Sequence, residues 1–224
     1  MNKPYIICYM MTSVDGRIDC AMTEHLPGEE YYPILESFGE ASHVNGKITS
    51  QMEIALPGKF LPQHDETYHQ DDFHISYQSK KYDIIIDNVG ELNYEKSDME
   101  RPTLIITSQR VTKDYLKYLE SRQISWVVSG KEHVDLRKAC EILKNEFHIE
   151  KLIVTGGGHI NAGFLKENLL DEVILLIGAG IDGREGMCSV FDGLEKDSPV
   201  KQLELEEVKS FKESGAVLLR YKVA

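Results

Sequence analysis

The chain has 224 residues, 42% hydrophobic and 28% charged, a size and mix that suit one globular domain over residues 1–224. A net charge of −12 and a pI near 5.1 provide no basic face for a phosphate backbone, which excludes nucleic acid as a partner. Net charge does not exclude a dinucleotide, which needs only a few local donors.

Tyr5–Met10 opens the chain as a short apolar run rich in β-formers and predicts a buried strand. It is too short to cross a membrane, lacks a cleavage pattern and is followed by Asp15 and Arg17, so neither a leader nor a membrane partner is expected. Glu29–Phe38, after Pro27-Gly28 and with acids in its first turn, predicts a helix. Pro57–Lys81 is polar and rich in His, Asp and Gln, and predicts a long surface excursion or lid. Tyr82–Asp87, Thr103–Thr107, Ile124–Ser129, Lys151–Thr155 and Glu172–Ile177 predict further buried strands. Helices are predicted between them at Lys113–Ser121, Val134–Phe147 and Ile160–Asn168. Apolar runs without alternation imply strands covered on both faces, hence a mostly parallel sheet flanked by helices. Gln202–Phe211 and Ala216–Val223, around Glu213-Ser214-Gly215, predict a closing antiparallel hairpin. Cys8, Cys20, Cys140 and Cys188 form no CxxC pair and read as reduced thiols of a cytoplasmic protein.

Four motifs lie where a strand ends or a helix opens. Thr155-Gly156-Gly157-Gly158-His159-Ile160-Asn161 follows one strand and starts a helix. Glycines there let the backbone approach a phosphate, and the helix's first amides point at it. A tight turn needs only one glycine; three favour a ligand. A Rossmann fingerprint is the rival, with Asp182 in the place of a ribose-binding acid. Asn161 breaks its glycine pattern, and too little parallel sheet follows Asp182. The second motif, Met11 to Ile18, is a strand end with a Ser13-x-Asp15-Gly16 turn, equally readable as a plain turn or as the edge of a ligand crevice. Gly46-Lys47-Ile48-Thr49 offers an ammonium at a helix start, and Ser108-Gln109-Arg110 offers a hydroxyl and a guanidinium. Ends of parallel strands share one sheet edge, and donors gathered there suit a dinucleotide.

These motifs resemble the pyrimidine reductases of riboflavin biosynthesis, the RibD C-terminal-domain family. MTSVDGRI is similar to the family's first-strand motif, VTGGGHINAGFLKENLLDEVILLI to its glycine turn, helix and strand, and GIDGREGMCSVFDGL to its stretch ending in Phe-x-Gly-Leu. YDIIIDNVGEL and VVSGKEHVDLRKACEIL fit in order between them. The resemblance implies a dihydrofolate-reductase-like α/β fold, NADPH as cofactor and a homodimer. It implies cofactor contacts from Ser13, Thr49, Gly156, Gly157, Gly158, His159, Ile160 and Asn161, with Lys47 and Ser108 near the adenosine phosphate. Asp15 would border nicotinamide and substrate, and Glu53 and Thr155 would face substrate. Asp15 and Glu53 are the candidate proton donors.

Three departures fall in the substrate half. Thr155 stands where the family commonly has Glu, Glu53-Ile54-Ala55-Leu56-Pro57 where it has Asp-Asp-Pro, and the usual Ser-x-Trp is missing. His64-Asp65-Glu66 looks like a deaminase H-x-E but has no P-C-x-x-C, and His64, His69 and His74 lack a helical-face spacing, so no metal is expected. The implied activity is hydride transfer from NADPH to a small heterocycle, a ribosylaminopyrimidine 5′-phosphate first. The alternatives are a dihydrofolate or pterin reductase, and a nucleotide-binding module without turnover.

Overall fold

The structure is a computed structural model that describes residues 2–18 and 20–224, the side chains of Cys20, Met22 and Glu53 excepted. In chain order the elements begin β1 (Tyr5–Thr12), α1 (Cys20–Thr23), α2 (Tyr31–Ser37), β2 (Ser42–Gly46), α3 (Lys47–Glu53) and β3 (Leu56–Lys59). They continue with β4 (Asp72–His74), β5 (Asp83–Ile86), β6 (Leu92–Asn93), β7 (Thr103–Thr107), α4 (Lys113–Ser121) and β8 (Ser125–Val128). The last are α5 (Leu136–Asn145), β9 (Lys151–Val154), α6 (Gly158–Lys166), β10 (Glu172–Ile177), β11 (Leu203–Ser210) and β12 (Val217–Val223). The chain forms two compact units, Met1–Pro4 with Glu40–Leu152, and Tyr5–Gly39 with Ile153–Ala224.

In the first unit β2, β5, β7 and β8 pair in parallel, and β4 adds an antiparallel edge to β8. The isoleucine-rich β5 and β7 are buried on both faces, as strands sandwiched in an α/β layer must be. The core gathers Ile85, Ile105, Tyr115, Leu119 and Trp126, with α4 supplying Tyr115 and Leu119. Residues 57–81 are not a free lid. Tyr68 N donates to Val111 O at 3.0 Å, Lys113 N to Glu66 O at 2.9 Å, and Gly130 N to the Asp71 carboxylate at 2.9 Å. Backbone pairing of β4 with β8 completes the anchoring. Polar composition concealed this, because the bonds run to residues far along the chain.

In the second unit β1 and β10 are parallel, β12 is antiparallel to β10, and β11 is antiparallel to β12. The closing hairpin is therefore as expected. Tyr9 of β1 stacks on Tyr31 of α2 with ring centroids 4.8 Å apart and meets Phe38 edge-on at 5.5 Å. This fastens α2 to the sheet with aromatic area that α2 otherwise lacks, since it has no fully buried residue.

Candidate active site

In the second unit the carboxyl ends of β1 and β10 lie side by side, with Thr12 opposite Ile177. Gly178 N donates to Thr12 O at 2.8 Å, and Val14 N to Gly180 O at 2.8 Å. Ser13, almost fully buried, closes the turn: its hydroxyl accepts from Arg17 N at 3.0 Å and donates to Asp15 Oδ1 at 2.7 Å. The Asp15 carboxylate also accepts from the amides of Asp182, 2.9 Å, and Gly183, 3.0 Å. The Ser13 hydroxyl first, then these amides, hold its carboxyl far below the usual carboxylate range. Asp15 is thus ionised at neutral pH, an acceptor that ties two loops together and a poor proton donor.

The glycine turn follows β9. Gly156 has φ +126°, a conformation only glycine adopts readily, and the Gly156–Gly157 peptide is cis. Gly158 answers a different demand. A Cβ there would lie 2.4 Å from Ser189 O and 3.1 Å from Asp192 Cβ. Gly157 meets neither demand: its φ of −80° and ψ of −172° are open to any residue, and a Cβ there would touch nothing within 4 Å. Its bare face opens onto space beside the start of α6. Ile160 N and Asn161 N both return to Gly157 O, at 2.9 and 3.0 Å, whereas the amides of Gly158 and His159 find no acceptor among the described residues. Two unpaired donors at the positive end of a helix, beside a clear approach, are what a phosphate oxygen requires.

Residues 187–193 join the two motifs. Arg17 donates to Met187 O and bridges Ser189, Ile18 N donates to Cys188 O at 3.2 Å, and Val190 N to Gly16 O at 3.3 Å. From the other side Asn161, fully buried, donates through Nδ2 to Val190 O at 2.7 Å, and Asp192 N donates to Gly158 O at 3.2 Å. The His159 ring lies against Gly193, where a Cβ would come within 2.2 Å of Nδ1. Ser13, Asp15 and Gly156–Asn161 are therefore brought together. The part of Ser189 and Asp192 in this was not read from sequence; the FDGL block was the available signal.

In the first unit, Gly46 caps α3 in an extended conformation, so Lys47 and Thr49 stand in its first turn, both partly exposed. The Lys47 ammonium is not free: it pairs with Glu91, whose other oxygen takes Lys59 at 3.1 Å. Ser108 departs from expectation. It is fully buried, donates to Asn88 O at 2.7 Å and accepts from Arg110 N at 3.3 Å, so its hydroxyl is spent on the turn. Asp87, beside that turn, is buried and accepts from Glu91 N at 2.6 Å and Leu92 N at 3.0 Å. Burial pushes its carboxyl up. Thr155 is partly exposed, and the Glu53 side chain lies outside the described residues. His64 faces Asp114 at 3.1 Å, and among the described residues no cluster of three metal-ligating side chains occurs.

Residues 4–218 match the RibD C-terminal domain, and the chain belongs to that family. Among curated relatives, it is 25% identical over 200 residues to the 2,5-diamino-6-ribosylamino-4(3H)-pyrimidinone 5′-phosphate reductase of Aquifex aeolicus, covering 86% of this chain and 84% of that one. It is 25% identical over 208 residues to the riboflavin biosynthesis protein RibD of Chlamydia pneumoniae, covering 89% of this chain but spanning only 53% of that protein. Among solved structures, a pyrimidine reductase-like protein from Corynebacterium diphtheriae superposes with a TM-score of 0.74 at 20% identity, over 100% of this chain and 93% of that one. The riboflavin biosynthesis reductase of Saccharomyces cerevisiae gives 0.63 at 17%, over 100% and 91%. The expected dihydrofolate-reductase-like α/β class therefore holds.

Proposed function

We propose that the chain is an NADPH-dependent reductase of a ribosylaminopyrimidine 5′-phosphate, a precursor of riboflavin. The observation that carries this reading is the bare face of Gly157 beside the unpaired amides of Gly158 and His159. The reductase names of the relatives support the reaction class.

Gly158 and His159 would hold the pyrophosphate by their free amides, with the bare face of Gly157 admitting it, Ile160 completing the helix's first turn and Asn161 fixing the adjoining loop. Thr49 and Lys47 serve the cofactor as the family resemblance implies, and Lys47 must exchange Glu91 for phosphate to do so. Ser108 acts through the turn it closes. The bound cofactor supplies the hydride. Ser13 and Asp15 shape the strand end where substrate is positioned, with Thr155 and Glu53 on the substrate side. Asp15, held ionised, orients and does not protonate. The reading is of a cytoplasmic homodimer. Among the described residues no helix is long and apolar enough to cross a membrane.

Fluorescence titration with NADPH and NADH tests the site. Gly157→Val should keep the fold, because its backbone angles suit any residue, and should weaken NADPH binding at least tenfold. Lys47→Ala should lower affinity for NADPH and leave NADH unchanged. Wild-type affinity in Gly157→Val overturns the pyrophosphate site. Binding without NADPH oxidation, with either the pyrimidine or dihydrofolate as substrate, would leave a nucleotide-binding module instead of a reductase.

A further inference from the structure

The Lys47 ammonium has a partner within the first unit, and that partner is firmly placed. Glu91 follows Gly90, whose φ of +74° and bare Cα let the turn press on Tyr115; a Cβ there would come within 2.4 Å of the ring. The Glu91 amide donates to the buried Asp87 carboxylate at 2.6 Å, and its carbonyl accepts from Phe60 N at 2.8 Å. Both backbone groups are taken, so the side chain has a fixed root. Its carboxylate holds two ammoniums, Lys47 on Oε2 and Lys59 on Oε1 at 3.1 Å. Lys59 reaches it because β3 pairs with β6, which sets Lys59 opposite Leu92. Two cations from separate elements thus converge on one anion.

Two ammoniums on two oxygens of one anion are also what a phosphate monoester takes, each lysine acting as a point charge with rotatable donors. We infer that Glu91 is a specificity-determining residue for the cofactor. Its carboxylate occupies the Lys47–Lys59 pair in competition with the phosphate monoester that distinguishes NADPH from NADH. The inference rests on the reductase reading above, and within it on the part of Lys47 in holding that phosphate.

Charge gives the direction of the effect. Two cations here face two carboxyl groups, Glu91 in contact and Asp87 buried close by; burial pushes the Asp87 carboxyl up, and the Lys47 charge draws it part of the way back. A phosphate monoester brings about −1.5 to −2 at neutral pH. To reach Lys47 it must displace the Glu91 carboxylate and then sit beside it, because the backbone bonds keep that residue in the turn. Glu91 and Lys47 are 30% and 31% exposed, so water screens the repulsion only in part, while Lys59, 60% exposed, is the weaker arm. NADH lacks this phosphate and leaves the ion pairs intact. Glu91 therefore penalises one dinucleotide and not the other, and it holds the preference for NADPH below what the two lysines alone would supply.

Fluorescence titration of the whole chain with NADPH and with NADH reads the effect. Glu91→Gln keeps the shape and the backbone bonds and removes the charge. It should tighten NADPH by about fivefold or more, the upper scale of one exposed ion pair, and leave NADH as in the wild type. Lys59→Gln should weaken NADPH alone, since a cation is lost and the anion stays. In a Lys47→Ala background the gain from Glu91→Gln should fall by at least half, a coupling that a merely structural effect of the substitution would not show. If Glu91→Gln does not fold, Glu91→Ser is read in the same way. The substrate is the other source of a phosphate monoester. Should Glu91→Gln tighten ribose 5-phosphate by calorimetry and leave the NADPH to NADH ratio alone, the pair serves substrate and the inference is overturned. An unchanged ratio overturns it in any case, with both dinucleotides bound and the reductase reading intact. A wild type that binds neither dinucleotide removes that reading and this inference together.

Discussion

Three consecutive glycines do three different jobs. Gly156 supplies a backbone angle, Gly158 makes room for Ser189 O, and Gly157 leaves a face open. In the sequence the run reads as a ligand turn and this division is hidden, because the group that excludes a side chain at Gly158 comes from a loop beyond β10. Asp15 was legible as an acid of a Ser-x-Asp-Gly turn, but not its distant partners: besides the Ser13 hydroxyl, the amides that hold its carboxyl low belong to Asp182 and Gly183. The division yields a test. In a helix interior alanine is favoured over glycine by about 1 kcal/mol, which bounds the propensity gain open to it at the helix start. In Gly158→Ala the new methyl must displace a backbone carbonyl, a packing cost of about 1–3 kcal/mol that outweighs the propensity gain. Urea unfolding should show Gly158→Ala less stable than Gly157→Ala, where the new methyl meets no atom within 4 Å and only the modest penalty of alanine at an N-cap applies. Equal midpoints for the two variants would contradict the packing role.

Elements with a dense apolar signal were legible within one or two residues, and three to the residue. Thr103–Thr107, Lys113–Ser121 and Glu172–Ile177 form over the ranges expected. Those that were missed have little local signal. β2, Ser42–Gly46, contains His43 and Asn45 and is fixed by pairing with β5, and β4 is three residues held by β8. Helix ends were misplaced where a cap decides them. The helix expected from Val134 starts at Leu136, because Asp135 takes the N-cap and accepts from Lys138 N at 3.0 Å. α5 then buries Ala139, Cys140 and Leu143. Asp135→Ala removes the acceptor from an otherwise orphaned amide and should cost about 1 kcal/mol. Asp135→Asn, which keeps an acceptor, should recover most of it. Chemical denaturation of the two variants separates the cap from the charge.

At the scale of the molecule, alternating strand and helix patterns and a terminal hairpin were enough to give the fold class. Its response to acid was not, because that depends on which polar groups folding buries. His43 sits on β2 with its side chain 21% exposed. Burial first, then the positive charges of Arg101 and Lys81, lower its pKa from 6.5 to about 4. Asp83, 4.0 Å away, would stabilise the imidazolium, but burial pushes that carboxyl up too and weakens the pair. The folded state therefore prefers neutral His43. The unfolded chain binds the extra proton between the two values, so stability rises with pH across that window. The contribution is complete above pH 6.5 and is lost as the pH falls toward 4. A shift of this size corresponds to about 3 kcal/mol, of which about 2 is lost by pH 5. His43→Gln, which cannot take up the proton, should lose about 2 kcal/mol less than the wild type between pH 7.5 and pH 5 by urea unfolding. Ordinary carboxylates titrate mostly below that interval and are common to both proteins, so the difference isolates His43. Parallel losses in the two proteins would mean that the imidazole is charged in the folded chain.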